Sequence, residues 1–190
     1  MRDENVRLGC SGRGGKGNFP LLRRKMGRCF SGCLAAGYRV GGVELSELAV
    51  RQWFEESAIE PTIRDLGELK HYAGPGVDIF VGDIFRLSGE HLGGIDAIYD
   101  RAALVALPGE MRQRYTVHLR AISGDAPQLL ICFEYDQSLM DGPPFSIDDE
   151  EVRAHYGDAY RLTLCETREV PGGLKGQCAA QEKAWLLQRL

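Results

Sequence analysis

Three polar clusters in this 190-residue chain stand at the ends of apolar runs: Glu44, Gly82-Asp83 and Asp100-Arg101. In open α/β sheets ligands bind beyond the carboxyl ends of the strands. An acid there accepts hydrogen bonds from both hydroxyls of a ribose, which suits a nicotinamide dinucleotide and S-adenosylmethionine equally. Glu44 reads as well as a solvated loop acid that opens a helix, and spacing alone does not separate the two. Asp83 either faces the adenine end of an adenosine or forms a simple Gly-Asp turn. Arg101 precedes Ala102–Leu107, an apolar run that must be buried. A guanidinium there needs partners, because burying it unpaired is costly. An ion pair with Asp100 or another acid would serve. So would a cofactor carboxylate or an anionic substrate, which the planar fork of arginine suits.

Other candidates carry less. Gly12-Arg13-Gly14-Gly15-Lys16-Gly17 invites a phosphate-loop reading, but no strand precedes it and no Gly-Lys-Ser/Thr is present. Cys29 and Cys33 lack a matching second pair for zinc. The histidines at 71, 91, 118 and 155 show neither ligand spacing nor a nucleophile partner. Asp148–Glu151 reads as the acidic first turn of a helix, where the dipole favours it.

The elements that must position these residues follow from periodicity. Tyr38–Glu44 reads as a buried strand ending in an acid. Ser46 caps a helix that presents Leu48, Val50, Trp53 and Phe54 and runs to about Ser57. Val77–Val81 alternates as a strand before Gly82-Asp83, and Gly94–Asp100 is a third strand. Pro108 to Ala121 is a helix with Pro in its first turn. The continuous apolar run Gln128–Tyr135 demands a central strand buried on both faces. Ser146 to His155 is a capped helix, and Tyr160–Val170 with Glu182–Leu187 forms a closing antiparallel pair, helix being the competing assignment for the latter. Alternating strands and helices argue for an α/β fold with a mostly parallel sheet.

Composition narrows the class. The formal charge is −4, and 44% of residues are hydrophobic, which excludes global disorder. The charge is unevenly divided: residues 1–40 carry +7 and residues 41–190 carry −11. Ala102–Leu107 and Leu129–Phe133, the longest uncharged apolar stretches, are too short to span a bilayer. No apolar h-region of a secretory signal is present, so the six cysteines read as reduced thiols and the expected location is cytoplasmic. A basic, Gly-rich head over 1–34 is expected to precede a folded body over 35–190.

The motifs are specific when taken together. Gly42-Val43-Glu44-Leu45-Ser46-Glu47-Leu48-Ala49-Val50, then Phe54-Glu55-Glu56, then Gly82-Asp83-Ile84-Phe85, resemble the bacterial thiopurine S-methyltransferases. Tyr99–Pro108 and Met140-Asp141-Gly142-Pro143-Pro144-Phe145-Ser146 are similar to theirs too. The resemblance runs in order from about Gly37 to the C-terminus. It implies a three-layer, Rossmann-like methyltransferase fold, mostly parallel with an antiparallel strand near one edge, and S-adenosyl-L-methionine as cofactor. It gives Glu44 the ribose, Asp83 and Ile84 the adenine, and Arg101 a place beside cofactor and substrate. A monomer acting on a small thiol or metalloid substrate is implied, with no nucleic acid, membrane or metal partner. The resemblance assigns no general base.

One departure stands out. The family carries a first strand and a Pro-Leu-Cys-Gly-Lys-like loop around the methionine part of the cofactor. The corresponding positions here are Leu21–Met26, where Pro20-Leu21 is followed by Leu22-Arg23-Arg24-Lys25. This segment reads as divergent, or as translated out of frame over 22–33. Two alternatives therefore stand beside an active methyltransferase: an inactive remnant that keeps the fold but binds cofactor weakly or not at all, and a nicotinamide-dependent oxidoreductase.

Overall fold

Glu44 owes its position to β2 (Arg39–Glu44), and β2 owes its own to a parallel neighbour, β5 (Val77–Val81). Their register runs from Val40 opposite Val77 to Glu44 opposite Val81. A computed structural model describes residues 10–11 and 32–190. The Gly12–Gly17 cluster, Cys29 and the Leu21–Met26 positions lie outside the described residues.

The first sheet has the order β1-β2-β5-β4-β3, with β1 at Cys10–Ser11, β3 at Thr62–Asp65 and β4 at Lys70–Gly74. A helical turn, α1, covers 32–35. Only β2 and β5 run parallel here; β1 on β2, β4 on β5 and β3 on β4 are antiparallel. Alternation sends Val40, Val77, Ile79, Val81 and Tyr72 to one face, where they pack on Val50, Trp53 and Phe54 of α2 (Glu47–Glu56). Those three helical positions share one stripe of a 3.6-residue repeat. Ser46 starts the helix as expected: its side chain accepts the Ala49 N–H at 3.3 Å, and Glu47 sits in the first turn.

The second sheet has the order β6-β7-β9-β8: β6 Ile98–Arg101, β7 Gln128–Tyr135, β8 Tyr160–Glu169 and β9 Ala180–Arg189. The apolar run of β7 lies between two strands, as predicted, and β8 and β9 form the predicted antiparallel pair. Between β6 and β7 comes α4 (Gly109–Ser123), which Gly124 closes in the left-handed region at φ 64°. Short α3 (Gly89–Leu92) precedes β6, and α5 (Asp149–Tyr156) precedes β8.

The described residues fall into two compact units that divide between Ile98 and Tyr99. The α/β character is as expected; the described strands form two mixed sheets, and in the first of them the expected parallel pairing is met between β2 and β5. Strands with one parallel and one antiparallel neighbour are common in mixed sheets, and β2 and β5 are both of this kind. The second neighbour of β2 is the two-residue antiparallel β1. The β3–β4 hairpin was not readable, because all four residues of β3 are exposed and none alternates. Its turn is set by Gly67, at φ 85°, whose N–H donates to Asp65 Oδ1 at 2.8 Å. Helix α5 begins three residues later than Ser146, capped by Asp148, which accepts the Glu151 N–H at 2.8 Å. Ser146 is engaged instead with the backbone of Tyr135. Among the described residues no helix is long and apolar enough to cross a membrane.

Candidate functional site

In the first unit, two of the predicted site positions meet at one end of the sheet. Glu44 closes β2 and is 2% exposed. Its Oε1 accepts the Ser46 N–H at 2.9 Å, so the carboxylate turns toward the N-terminus of α2. A negative group gains from the partial positive charge there. On the neighbouring strand, the Gly82 N–H donates to the Glu44 carbonyl at 3.0 Å, which extends the parallel pairing one step past Val81. Asp83 follows directly and is exposed, its Oδ1 accepting the Phe85 N–H at 3.0 Å. The Gly-Asp turn and the strand-end acid are thus the same object: Asp83 caps the 3₁₀ turn Ile84–Arg86.

Gly82 makes this end of the sheet possible. Its φ is 142°, and a Cβ there would lie 2.7 Å from Leu69 Cδ2 and 2.9 Å from the Glu68 carbonyl oxygen. Ile84 points into the core at 5% exposure.

Close by, Glu47 anchors the start of α2 to β4. Lys70 Nζ and Tyr72 OH each donate to it at 2.6 Å, and Arg51 one turn along does the same. Hydrogen bonds from Lys70, then Tyr72, then Arg51 hold its carboxyl down at about 2. This anchor was not anticipated; only its place in the first turn was.

In the second unit, β6 delivers Asp100 and Arg101 to opposite faces. Asp100 is fully buried, and its Oδ2 accepts the hydroxyl of Tyr115, from α4, at 3.0 Å. Burial pushes its pKa up to about 6, against the opposing effect of Tyr115 and the amides of Leu104 and Ala103. Oδ1 closes no hydrogen bond with the described residues. Arg101 does not pair with Asp100. Its Nη2 meets Glu182 Oε2 of β9 at 3.0 Å, with both side chains about one-third exposed. Such a pair contributes only about 0–1 kcal/mol, so a ligand anion can compete for the guanidinium. The next residue on β9, Lys183, lies buried between Asp149 and Glu134. Burial opposes its charge, but hydrogen bonds to Asp149 and Glu134 prevail and raise its pKa.

The structure thus groups Glu44, Asp83 and Ile84 in one unit and places Arg101 in the other. Sequence reasoning missed Tyr115 and Glu182. An acid inside the apolar stretch Ile98–Leu107 signals a buried partner, but nothing in the sequence says which of the later residues supplies it.

Two chemistries are compatible with this arrangement. Glu44 and Asp83 are acceptors, matched to the donor hydroxyls of a ribose and the amino group of an adenine. Arg101 is a donor fork matched to an anion. No cluster of three or more His, Cys, Asp or Glu that could hold a metal ion occurs among the described residues.

Known proteins resemble this chain over most of its length. A family model described as Thiopurine S-methyltransferase matches residues 33–189. A thiopurine S-methyltransferase of Xanthobacter autotrophicus is 53% identical over 156 residues, covering 82% of this chain and 73% of the relative. That of Teredinibacter turnerae is 51% identical over 156 residues, with the same coverages. That of Gluconobacter oxydans is 48% identical over 149 residues, covering 78% and 68%.

Proposed function

The chain belongs to the thiopurine S-methyltransferase family, and from that premise we propose that it transfers a methyl group from S-adenosyl-L-methionine to a soft nucleophile. The substrate is a thiol of the thiopurine kind, or a selenium or tellurium species. The observation that supports this reading best is Glu44, a buried carboxylate at the end of β2, turned to the N-terminus of α2.

The donor set fits the cofactor. A ribose diol donates two hydrogen bonds, and Glu44 only accepts. Asp83, beside it at the end of the adjacent strand, would take the adenine, with Ile84 packed beneath. Arg101 would face the region shared by cofactor and substrate. When bound, S-adenosyl-L-methionine supplies an electrophilic methyl group on a sulfonium. The chain's own residues supply orientation and exclude water. Orientation alone lowers such barriers by up to about 7–11 kcal/mol. A thiopurine thiol is acidic, so no residue is assigned as a general base. The methyltransferase body is the region 35–190.

Family membership removes the nicotinamide alternative. The inactive-remnant reading keeps one observation in its favour: β2 has the antiparallel β1 where the parallel fold would set another parallel strand. Calorimetric titration with S-adenosylhomocysteine separates the two. Binding by the wild-type chain that Glu44→Ala weakens at least tenfold supports the enzyme. Absence of binding by the wild type supports the remnant.

A further inference from the structure

Asp100 is a carboxylate where a neutral side chain would be cheaper to bury, and it stands one residue before Arg101. Three observations define what it does. First, β6 alternates, so Ile98 and Asp100 are buried while Tyr99 and Arg101 reach the surface layer. Second, the strand stops at once: Ala102 adopts φ 72°, a left-handed backbone unusual for alanine. The chain then enters the buried 3₁₀ turn Leu104–Ala106. Third, the carboxylate engages the chain beyond that reversal. Tyr115 of α4 donates to Oδ2, and the amides of Leu104 and Ala103 favour its charged form. A carboxylate offers an acceptor on each side, whereas an asparagine offers an acceptor on one side and a donor on the other.

We propose that Asp100, held by Tyr115, is a positioning residue that fixes the Ala102 reversal and thereby the direction in which the Arg101 guanidinium leaves β6. Asp100 meets no ligand itself. The Tyr115 hydrogen bond ties the strand end to α4, the amides of Ala103 and Leu104 favour the carboxylate from the turn, and the half-buried Arg101 is the output of that tie. The further step, that an oriented Arg101 binds substrate, rests on the proposed function; the orientation does not.

The test uses the full chain with ¹⁵N-labelled arginine. Tyr115→Phe removes the hydroxyl and leaves every carboxyl and guanidinium group in the chain, and spectra are taken at pH 8 or above, where the Asp100 carboxyl is ionised in the wild type. Arg120, paired with Asp125 and Asp158 on the same helix as Tyr115, is the internal control. The expected result is that Tyr115→Phe and Asp100→Asn both move the Arg101 side-chain signal and leave that of Arg120 unchanged. An unmoved Arg101 in Tyr115→Phe overturns the proposal, because a shift in Asp100→Asn alone would be only a charge felt through space. Equal movement of Arg120 also overturns it, since that is general loosening of the unit.

Turnover gives the second readout. With 6-mercaptopurine as probe, Tyr115→Phe is expected to raise KM about tenfold, as loss of one hydrogen bond would, and to leave kcat within about twofold. In an Arg101→Ala background the same change should add nothing further. Additive effects overturn the proposal. A wild-type chain without turnover refutes the proposed function instead, and the arginine spectra then decide the positioning claim alone.

Discussion

Replacing Gly82 by alanine tests how the carboxyl end of the first sheet is built. The change adds one methyl group where β5 turns into the Asp83 cap. Two costs follow. A φ of 142° is foreign to residues with a Cβ, and such backbone strain costs about 1–3 kcal/mol. The new Cβ also meets Glu68 carbonyl oxygen at 2.9 Å and Leu69 Cδ2 at 2.7 Å. The leucine can rotate away, but the carbonyl is backbone and moves only if the turn between β3 and β4 moves with it. Overpacking of this kind costs about 1–3 kcal/mol more. The sum is about 2–6 kcal/mol, a large part of the stability of a unit this size. Gly37→Ala is the control. Its φ of 83° is also positive, yet no atom lies within 4 Å of the added Cβ. It should cost only about 1–2 kcal/mol. Urea unfolding in a Trp185→Phe background lets Trp53, in the core against this sheet, report the transition. Equal losses for the two variants would show that the Glu68–Leu69 contact does not constrain the strand end, and the reasoning would fail.

Further expectations concern titration and reactivity. Asp100 has a folded-state pKa of about 6 against an ordinary 3.8, so the native chain holds a proton that the unfolded chain has released between those values. Stability contributed here is full below about pH 4 and is lost as pH rises to 6. The difference is about 3 kcal/mol. Asp100→Asn should flatten that slope in urea titrations from pH 4 to 7, and parallel curves would contradict it. Glu47 works in the opposite sense. Its carboxyl is held at about 2, so its contribution is present above pH 4.5 and lost as pH falls toward 2. Glu47→Gln should therefore narrow the gap between neutral and acid stability, measured in the same way. Cys132 is fully buried, and burial pushes its thiol up to about 12. Iodoacetamide at pH 8 should label the exposed Cys165 and spare Cys132 until urea unfolds the chain, as mass spectrometry would read.

The legible parts were those with strong local signals. Val77–Val81 and Gln128–Tyr135 were read to the residue, because alternation and a continuous apolar run leave few other uses for such segments. The Ser46 cap was read from one hydroxyl three residues before an amide that needs an acceptor. Glu44 and Asp83 do stand at or just past strand ends, and their adjacency followed only once β2 and β5 were seen to pair. What stayed hidden depends on long-range pairing. Arg101 lies eighty-one positions from Glu182 in sequence. Nothing local distinguishes that acid from Asp100, which stands next to the arginine and yet faces the other way. Sheet organisation was hidden for the same reason. The strands other than β1, β3 and β4 were recognised by their own patterns, but whether strands join in one sheet depends on which neighbour is available to each edge.

The central claim is that this chain methylates a soft nucleophile with Glu44 holding the cofactor. Incubation with S-adenosyl-L-methionine and 6-mercaptopurine, followed by mass spectrometry of the purine, tests it most directly. The account predicts a product heavier by one methyl group, with the rate reduced at least about a hundredfold by Glu44→Ala. An unmodified purine with the wild-type chain, or a rate untouched by Glu44→Ala, would contradict it.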